Sequence, residues 1–159
     1  MRLENSLLRT CCFFGHREID ETEELKEWLK GTVESLIVNE GVDTFLFGSR
    51  SRFNSLCYEL VSAMKTKHPQ IKRIYVRAEY PIISDSYREY LLKEYEDTYY
   101  PESVVGANRF AYIKRNQEII DKSQFCVVYY DKEYKAKGTR QALDYALRRN
   151  KAIYRFQTP

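Results

Sequence analysis

Three stretches of this 159-residue chain are unbroken apolar runs: Cys11-Cys12-Phe13-Phe14, Phe45-Leu46-Phe47 and Phe125 to Tyr130. Continuous apolarity over a few residues is what a strand covered on both faces requires. Two further runs, Ile71 to Val76 and Ala152 to Phe156, are diluted by Lys72, Arg73 and Arg155, as strands at a sheet edge are. Between the runs, apolar positions recur at helical spacing. Leu25, Trp28, Leu29, Leu36 and Ile37 mark a helix that opens at Asp20-Glu21-Thr22-Glu23, which resembles a capping box, and ends before Gly41. Leu56, Leu60, Val61 and Met64 mark a second, from about Phe53 to Lys67, ahead of Pro69. Phe110, Ile113 and Ile120 belong to a helix over 108–121, and Ala142, Leu143, Ala146 and Leu147 to one starting near Thr139.

The order of elements is β-α-β-α-β, an insert, then α-β-α-β. Alternation of this kind predicts an α/β fold with a doubly wound parallel sheet of about five strands in one domain over 1–159. Placing the charge-diluted third and fifth strands at the edges gives the order 3-2-1-4-5. The topological switch point then falls between the first and fourth strands.

Three loops at that end of the sheet share a layout in which an apolar run passes through glycine beside small polar or cationic residues into a helix. They are Gly15-His16-Arg17, Gly48-Ser49-Arg50-Ser51, and the stretch from Asp131 to Gly138-Thr139-Arg140. Glycine lets a ligand approach the backbone, and helix N-termini offer unpaired N–H groups to an anion. The expected ligand is a phosphorylated small molecule. Each residue also has a local role to set beside this. Gly15 and Gly48 suit tight turns, and His16 suits a hydrogen-bonded turn as well as a phosphate or base contact. Arg17 and Arg50 match phosphate oxygens bidentately or pair with Glu18 or Glu59. Ser49, Ser51 and Thr139 are ordinary helix caps, which is compatible with anion binding because both use the same N–H groups. Asn54 either contacts a ribose or base edge or caps its helix, and Phe53 is core.

Composition narrows the field. With 26 basic and 23 acidic residues the net charge is +3, too balanced to announce a nucleic-acid protein, although residues 131–159 hold eight Lys/Arg against three Asp/Glu. Of the four cysteines, Cys11, Cys12 and Cys126 lie in apolar runs and none forms a C-x-x-C pair with Cys57 or another, so all four are expected as reduced core thiols. With two histidines, His16 and His68, far apart in sequence, no metal site and no cofactor is expected. No apolar run approaches 18 residues and no leader pattern stands at the start, which predicts a cytoplasmic protein away from membranes.

The insert, Arg77 to Gly106, is far longer than an ordinary α/β connection and concentrates Tyr80, Tyr87, Tyr90, Tyr95, Tyr99 and Tyr100. A short amphipathic helix is predicted from Ser84 to Glu94, packed on the sheet or at a homodimer interface. A lid over the ligand is the other role open to it. Arg77-Ala78-Glu79 follows the third strand directly and is placed to reach the cleft.

Several ordered motifs carry a resemblance. Cys12-Phe13-Phe14-Gly15-His16-Arg17-Glu18, Phe47-Gly48-Ser49-Arg50-Ser51-Arg52-Phe53-Asn54-Ser55-Leu56-Cys57, Arg77-Ala78-Glu79-Tyr80-Pro81 and Arg115-Asn116-Gln117 resemble a bacterial and phage-borne branch of the SLOG superfamily. That superfamily joins the SMF/DprA proteins with the LOG phosphoribohydrolases. The segment 121–130, Gly138-Thr139 and Ala142 to Ala146 fit the same branch, so the likeness covers nearly the whole chain. It implies a Rossmann-like fold that binds nucleotides or nucleotide-derived ligands, an ADP-ribose-type signal among them, and it adds Arg77, Arg115, Asn116 and Gly138 to the ligand-binding set. The phosphoribohydrolases carry Gly-Thr-x-x-Glu with a catalytic glutamate; here Gly138-Thr139-Arg140-Gln141 is followed by Ala142. Cleavage of an N-glycosidic bond needs a carboxylate near the ribosyl carbon, and alanine supplies none. A sensor or sequestering protein is therefore the expected function. The alternative is an N-glycosidic-bond enzyme, a phosphoribohydrolase or a deoxyribosyltransferase-like one, using Glu79 or Glu118; single-stranded DNA binding comes third.

Overall fold

The computed structural model describes residues 9–157. The residues before Arg9, on which the expectation about a leader bears, lie outside it. Six strands form one all-parallel sheet: β1 (Thr10–Gly15), β2 (Thr44–Phe47), β3 (Lys72–Val76), β4 (Asp97–Tyr99), β5 (Phe125–Tyr129) and β6 (Ala152–Phe156). The spatial order is β4-β3-β2-β1-β5-β6. The helices are α1 (Glu23–Val38), α2 (Arg52–Met64), α3 (Asp85–Glu94), α4 (Ala111–Lys122) and α5 (Gly138–Arg148). This is a doubly wound, Rossmann-like α/β fold.

Alternate residues of the apolar strands build two cores. Cys11, Phe13, Phe45, Phe47, Phe125 and Val127 face α1 and α2 through Leu25, Leu29, Val33, Phe53 and Val61. Cys12, Phe14, Leu46, Cys126 and Val128 face α4 and α5 through Ile119, Ile120, Ala142, Leu143 and Ala146. Burial on both faces accounts for the unbroken apolarity of β1, β2 and β5.

Four expectations need correction. The sheet has six strands, and β3 is an inner strand because β4, inside the tyrosine-rich insert, pairs with it from Ile74↔Asp97 to Val76↔Tyr99. The insert is thus itself a helix-strand unit, α3 followed by β4. A cap on α1 belongs to Thr22, whose side chain accepts the Leu25 N–H, since Asp20 stands too far upstream. Finally, the helix expected over 108–121 begins at Ala111, after a 3-10 turn at Asn108–Phe110; Phe110 and Ile113 are 48% and 39% exposed, as Leu147 of α5 is 57% exposed, and α4 turns Arg115, Ile119 and Ile120 inward. The predicted insert helix is present as α3, with Ser84 capping it and Leu91 buried, while Tyr90 and Leu92 stay exposed.

The four cysteines are buried and unpaired, and burial pushes the Cys11, Cys12 and Cys57 thiols up. No helix among the described residues is long and apolar enough to cross a membrane.

Candidate functional site

At the carboxyl ends of β1, β2 and β5 a cleft of about 190 Å³ opens at the switch point. Its wall includes Gly15, His16 and Arg17 from the first loop, Ser49, Arg50 and Ser51 from the second, Gly138 and Thr139 from the third, and Asn116 from α4. Nine residues named from sequence therefore meet in one place. Tyr134 and Ala136 also line it and were missed; a tyrosine inside the charged run Lys132-Glu133-Tyr134-Lys135 was the available signal.

The three loops are tied together by hydrogen bonds. His16 is 2% exposed, and its Nε2 accepts the Asp131 N–H at 2.8 Å. The neutral ring then carries its proton on Nδ1, for which no partner exists among the described residues. Burial pulls the His16 pKa down, opposed by the Asp131 contacts, so the neutral form is favoured. Tyr134 stacks on the imidazole with centroids 4.0 Å apart, and its hydroxyl accepts the Glu18 N–H at 3.1 Å. The first loop binds the second where the Arg17 carbonyl accepts the Arg52 N–H at 2.9 Å.

Two arginines, Arg17 and Arg50, line the cleft. Arg17 has no carboxylate within 4.0 Å among the described residues, and Arg50 has one, Glu79 at 3.4 Å across an exposed pair. The Tyr75 hydroxyl, and after it Glu79, holds Arg50 more firmly protonated. The N-terminus of α5 is open. Its cap position is Lys137, which makes no side-chain cap, and the Gly138, Thr139 and Arg140 N–H groups have no acceptor among the described residues. Orphan N–H groups with the positive end of the helix dipole behind them are a ready anion seat.

No protein-family model matches the chain, and no curated protein does. The functional reading therefore rests on this geometry and on the motifs themselves.

The remaining residues named from sequence stand outside the cleft. Asn54 is buried in the frame: its Nδ2 donates to the Phe13 carbonyl at 2.9 Å, and its own N–H donates to the Ser51 cap. Arg77 donates to the Tyr80 carbonyl and to Thr98 Oγ1, holding β4 against the chain leaving β3. Arg115 lies beneath the second loop, where it donates to the Gly48 carbonyl at 2.6 Å and sits over the Tyr112 ring. Burial pulls its pKa down, and no carboxylate pairs with it within 4.0 Å among the described residues, so it adds positive potential under the cleft. Gly48 makes room for that arginine, since a Cβ there would meet Arg115 Cδ at 2.8 Å. Gly15 lines the cleft yet has a packing role too, because a Cβ would drive into the Phe53 ring.

The two carboxylates weighed for catalysis are both outside the cleft wall. Glu79 pairs with Arg50 at 3.4 Å, and Glu118 accepts from the Tyr99 hydroxyl at 3.3 Å and pairs with Lys122 at 3.7 Å. Ala142 is buried against the sheet. Among the described residues no cluster of three or more His, Cys, Asp or Glu is placed to hold a metal ion.

Proposed function

We propose that this protein binds an anionic, nucleotide-like small molecule at the switch point and acts as a sensor or a sequestering protein. The observation that carries the reading is the convergence of three glycine loops on the uncapped N-terminus of α5, with Arg17, Arg50 and the free Nδ1–H of His16 around it. The motif resemblance to the SLOG superfamily points to the same ligand class. A phosphate takes the Gly138, Thr139 and Arg140 N–H groups, and the two arginines neutralise its remaining charge.

The binder reading is preferred to an N-glycosidic enzyme because no carboxylate stands in the cleft wall, and bond cleavage needs one at the ribosyl carbon. It also includes a cytoplasmic location, which four buried free thiols fit, and a homodimer, for which exposed Tyr90 and Leu92 on α3 offer a face. Mass spectrometry of small molecules released by heating the purified protein is the direct test. A nucleotide in the supernatant is the expected result. Release of free base from a nucleotide panel over many turnovers would replace the binder with the enzyme, and steep salt-dependent retention on single-stranded DNA would replace both. Light scattering that gives the mass of one chain at micromolar concentration would remove the dimer.

A further inference from the structure

Arg17, Arg50, Arg77 and Arg115 stand around the carboxyl ends of β1, β2 and β3, and carboxylates are scarce beside them. Among the described residues Arg17, Arg77 and Arg115 have no carboxylate within 4.0 Å, while Arg50 has Glu79 at 3.4 Å. The Arg50 side chain is 69% exposed, which leaves it room to turn, and it lines both the cleft and the closed space between Glu79 and Tyr87. The carboxylate, by contrast, is held. It projects from the turn that follows β3, where the Arg77 N–H donates to the Tyr99 carbonyl at 2.8 Å and the Arg77 side chain donates to the Tyr80 carbonyl and to Thr98 Oγ1, both at 3.1 Å. Ala78, next to Glu79, is buried. These bonds close the turn on both sides of Glu79, so the frame itself presents the carboxylate to Arg50. The other groups facing it are donors: the Tyr112 hydroxyl, whose pKa burial first and Glu79 second push up, and the buried Arg115 guanidinium within electrostatic reach.

We infer that Glu79 is a resident counter-anion: it holds Arg50 aside in the free protein, and an incoming anion displaces it as Arg50 turns from Glu79 into the cleft. The inference rests on the anion-binding reading above and adds the regulation of that site. The contact suits such an exchange. Its closest approach of 3.4 Å is longer than the roughly 2.7–2.9 Å of a charge-assisted hydrogen bond, and an exposed pair of this kind is weak. Guanidinium bonds to phosphate oxygens, made bidentately, are the stronger alternative. An anion that partners Arg50 no better than a carboxylate does gains nothing by entering. Glu79 thereby sets a threshold for occupancy.

Titration calorimetry of the full chain with inorganic pyrophosphate tests it on Glu79→Gln, Arg50→Ala and the double variant. Glu79→Gln removes the counter-charge at constant shape and should tighten pyrophosphate binding by about three- to fivefold, the scale of one exposed ion pair, with the melting temperature unchanged. In the Arg50→Ala background the same substitution should change affinity by less than about 1.5-fold, since no guanidinium is left to release. Weaker binding by Glu79→Gln would overturn the inference and make Glu79 a positioning residue for Arg50, and unchanged affinity would overturn it as well. An equal gain in both backgrounds would replace it with through-space repulsion of the anion. Each of these results leaves the anion site standing. Failure of the wild type and of every variant to bind pyrophosphate would overturn the anion site, and the counter-anion with it.

Discussion

Two helices begin at the same edge of the sheet after similar loops, Gly48-Ser49-Arg50-Ser51 before α2 and Lys137-Gly138-Thr139-Arg140 at the start of α5, yet their first turns are opposites. At α2 the donors are used internally: Ser51 N–H to Ser49 Oγ at 3.0 Å, Arg52 N–H to the Arg17 carbonyl, and Asn54 N–H to Ser51 Oγ at 3.0 Å. At α5 three successive N–H groups have no acceptor among the described residues. The first turn of α2 is closed by the chain itself, whereas the α5 donors, of which the Gly138 and Arg140 residues are exposed and Thr139 is buried, are left open to solvent or to an anion, which is what the proposed binding mode uses. The loops look interchangeable as sequence because Ser and Thr serve a cap and an anion site equally well.

The largest expected effect separates the glycines of the two sides. Gly15→Ala forces a methyl group into Phe53, which opens the α2 side, and overpacking of this kind costs about 3 kcal/mol. For a chain of this size that lowers the melting temperature by roughly 6–12 °C. Gly138→Ala meets nothing within 4 Å and sits at the first position of a helix, so it should melt at or above the wild-type temperature while weakening anion binding. Equal losses of stability in both variants would erase the distinction.

What the sequence made legible follows the same division. The apolar runs of β1, β2 and β5 announce their own burial, and the glycine loops announce the cleft edge. Asp97-Thr98-Tyr99 gave no such signal, because β4 is three residues long and depends on partners elsewhere: Thr98 Oγ1 donates to the Tyr75 carbonyl, and the Arg77 N–H to the Tyr99 carbonyl. Asn54 was legible as a ligand contact or a helix cap and Arg115 only through its motif; their bonds to the Phe13 and Gly48 carbonyls, distant in sequence, were not. Phe110, Ile113 and Leu147 follow the helical period and still face outward; periodicity gives a face, and only packing decides which residues at its margin are covered.

The next effect concerns the arginines. If Arg17 and Arg50 contact the ligand, a charge-assisted bond lost from either is worth about 1.5–3 kcal/mol, so Arg17→Ala and Arg50→Ala should each weaken nucleotide binding roughly ten- to a hundred-fold. Stability should hardly change, because the Arg50–Glu79 pair is exposed and Arg17 has no ion pair among the described residues. Calorimetry and thermal melting on the same preparations check both halves. Wild-type affinity in both variants would dismantle the cradle, and lost stability would return the arginines to the frame.

Caps sharpen the contrast further. Ser51→Ala removes a cap already in use and should cost about 1 kcal/mol with little change in anion affinity. Lys137→Asp does the reverse: a carboxylate at the open end of α5 favours the helix by up to about 1 kcal/mol and repels the anion. The expected result is a higher melting temperature with binding reduced by at least tenfold. A lower melting temperature for Lys137→Asp would mean that the α5 terminus is already satisfied.

The smallest effect lies in the link between the two sides, His16. Its Nε2 accepts the Asp131 N–H only while unprotonated, and burial holds its pKa below the ordinary histidine value. For a histidine whose folded pKa is depressed, the unfolded chain takes up the proton first. The stabilising contribution is therefore fully present above the unfolded value, about 6.5, and is lost as pH falls through that value toward the folded one. Melting temperature should drop between pH 7 and pH 5 by more in the wild type than in His16→Gln, whose side-chain carbonyl can accept the same N–H and does not titrate. Ligand affinity should fall over the same interval, because the loop that carries Tyr134 toward α5 is anchored at Asp131. Identical pH slopes for the two proteins would show that the imidazole does not couple the first loop to the third.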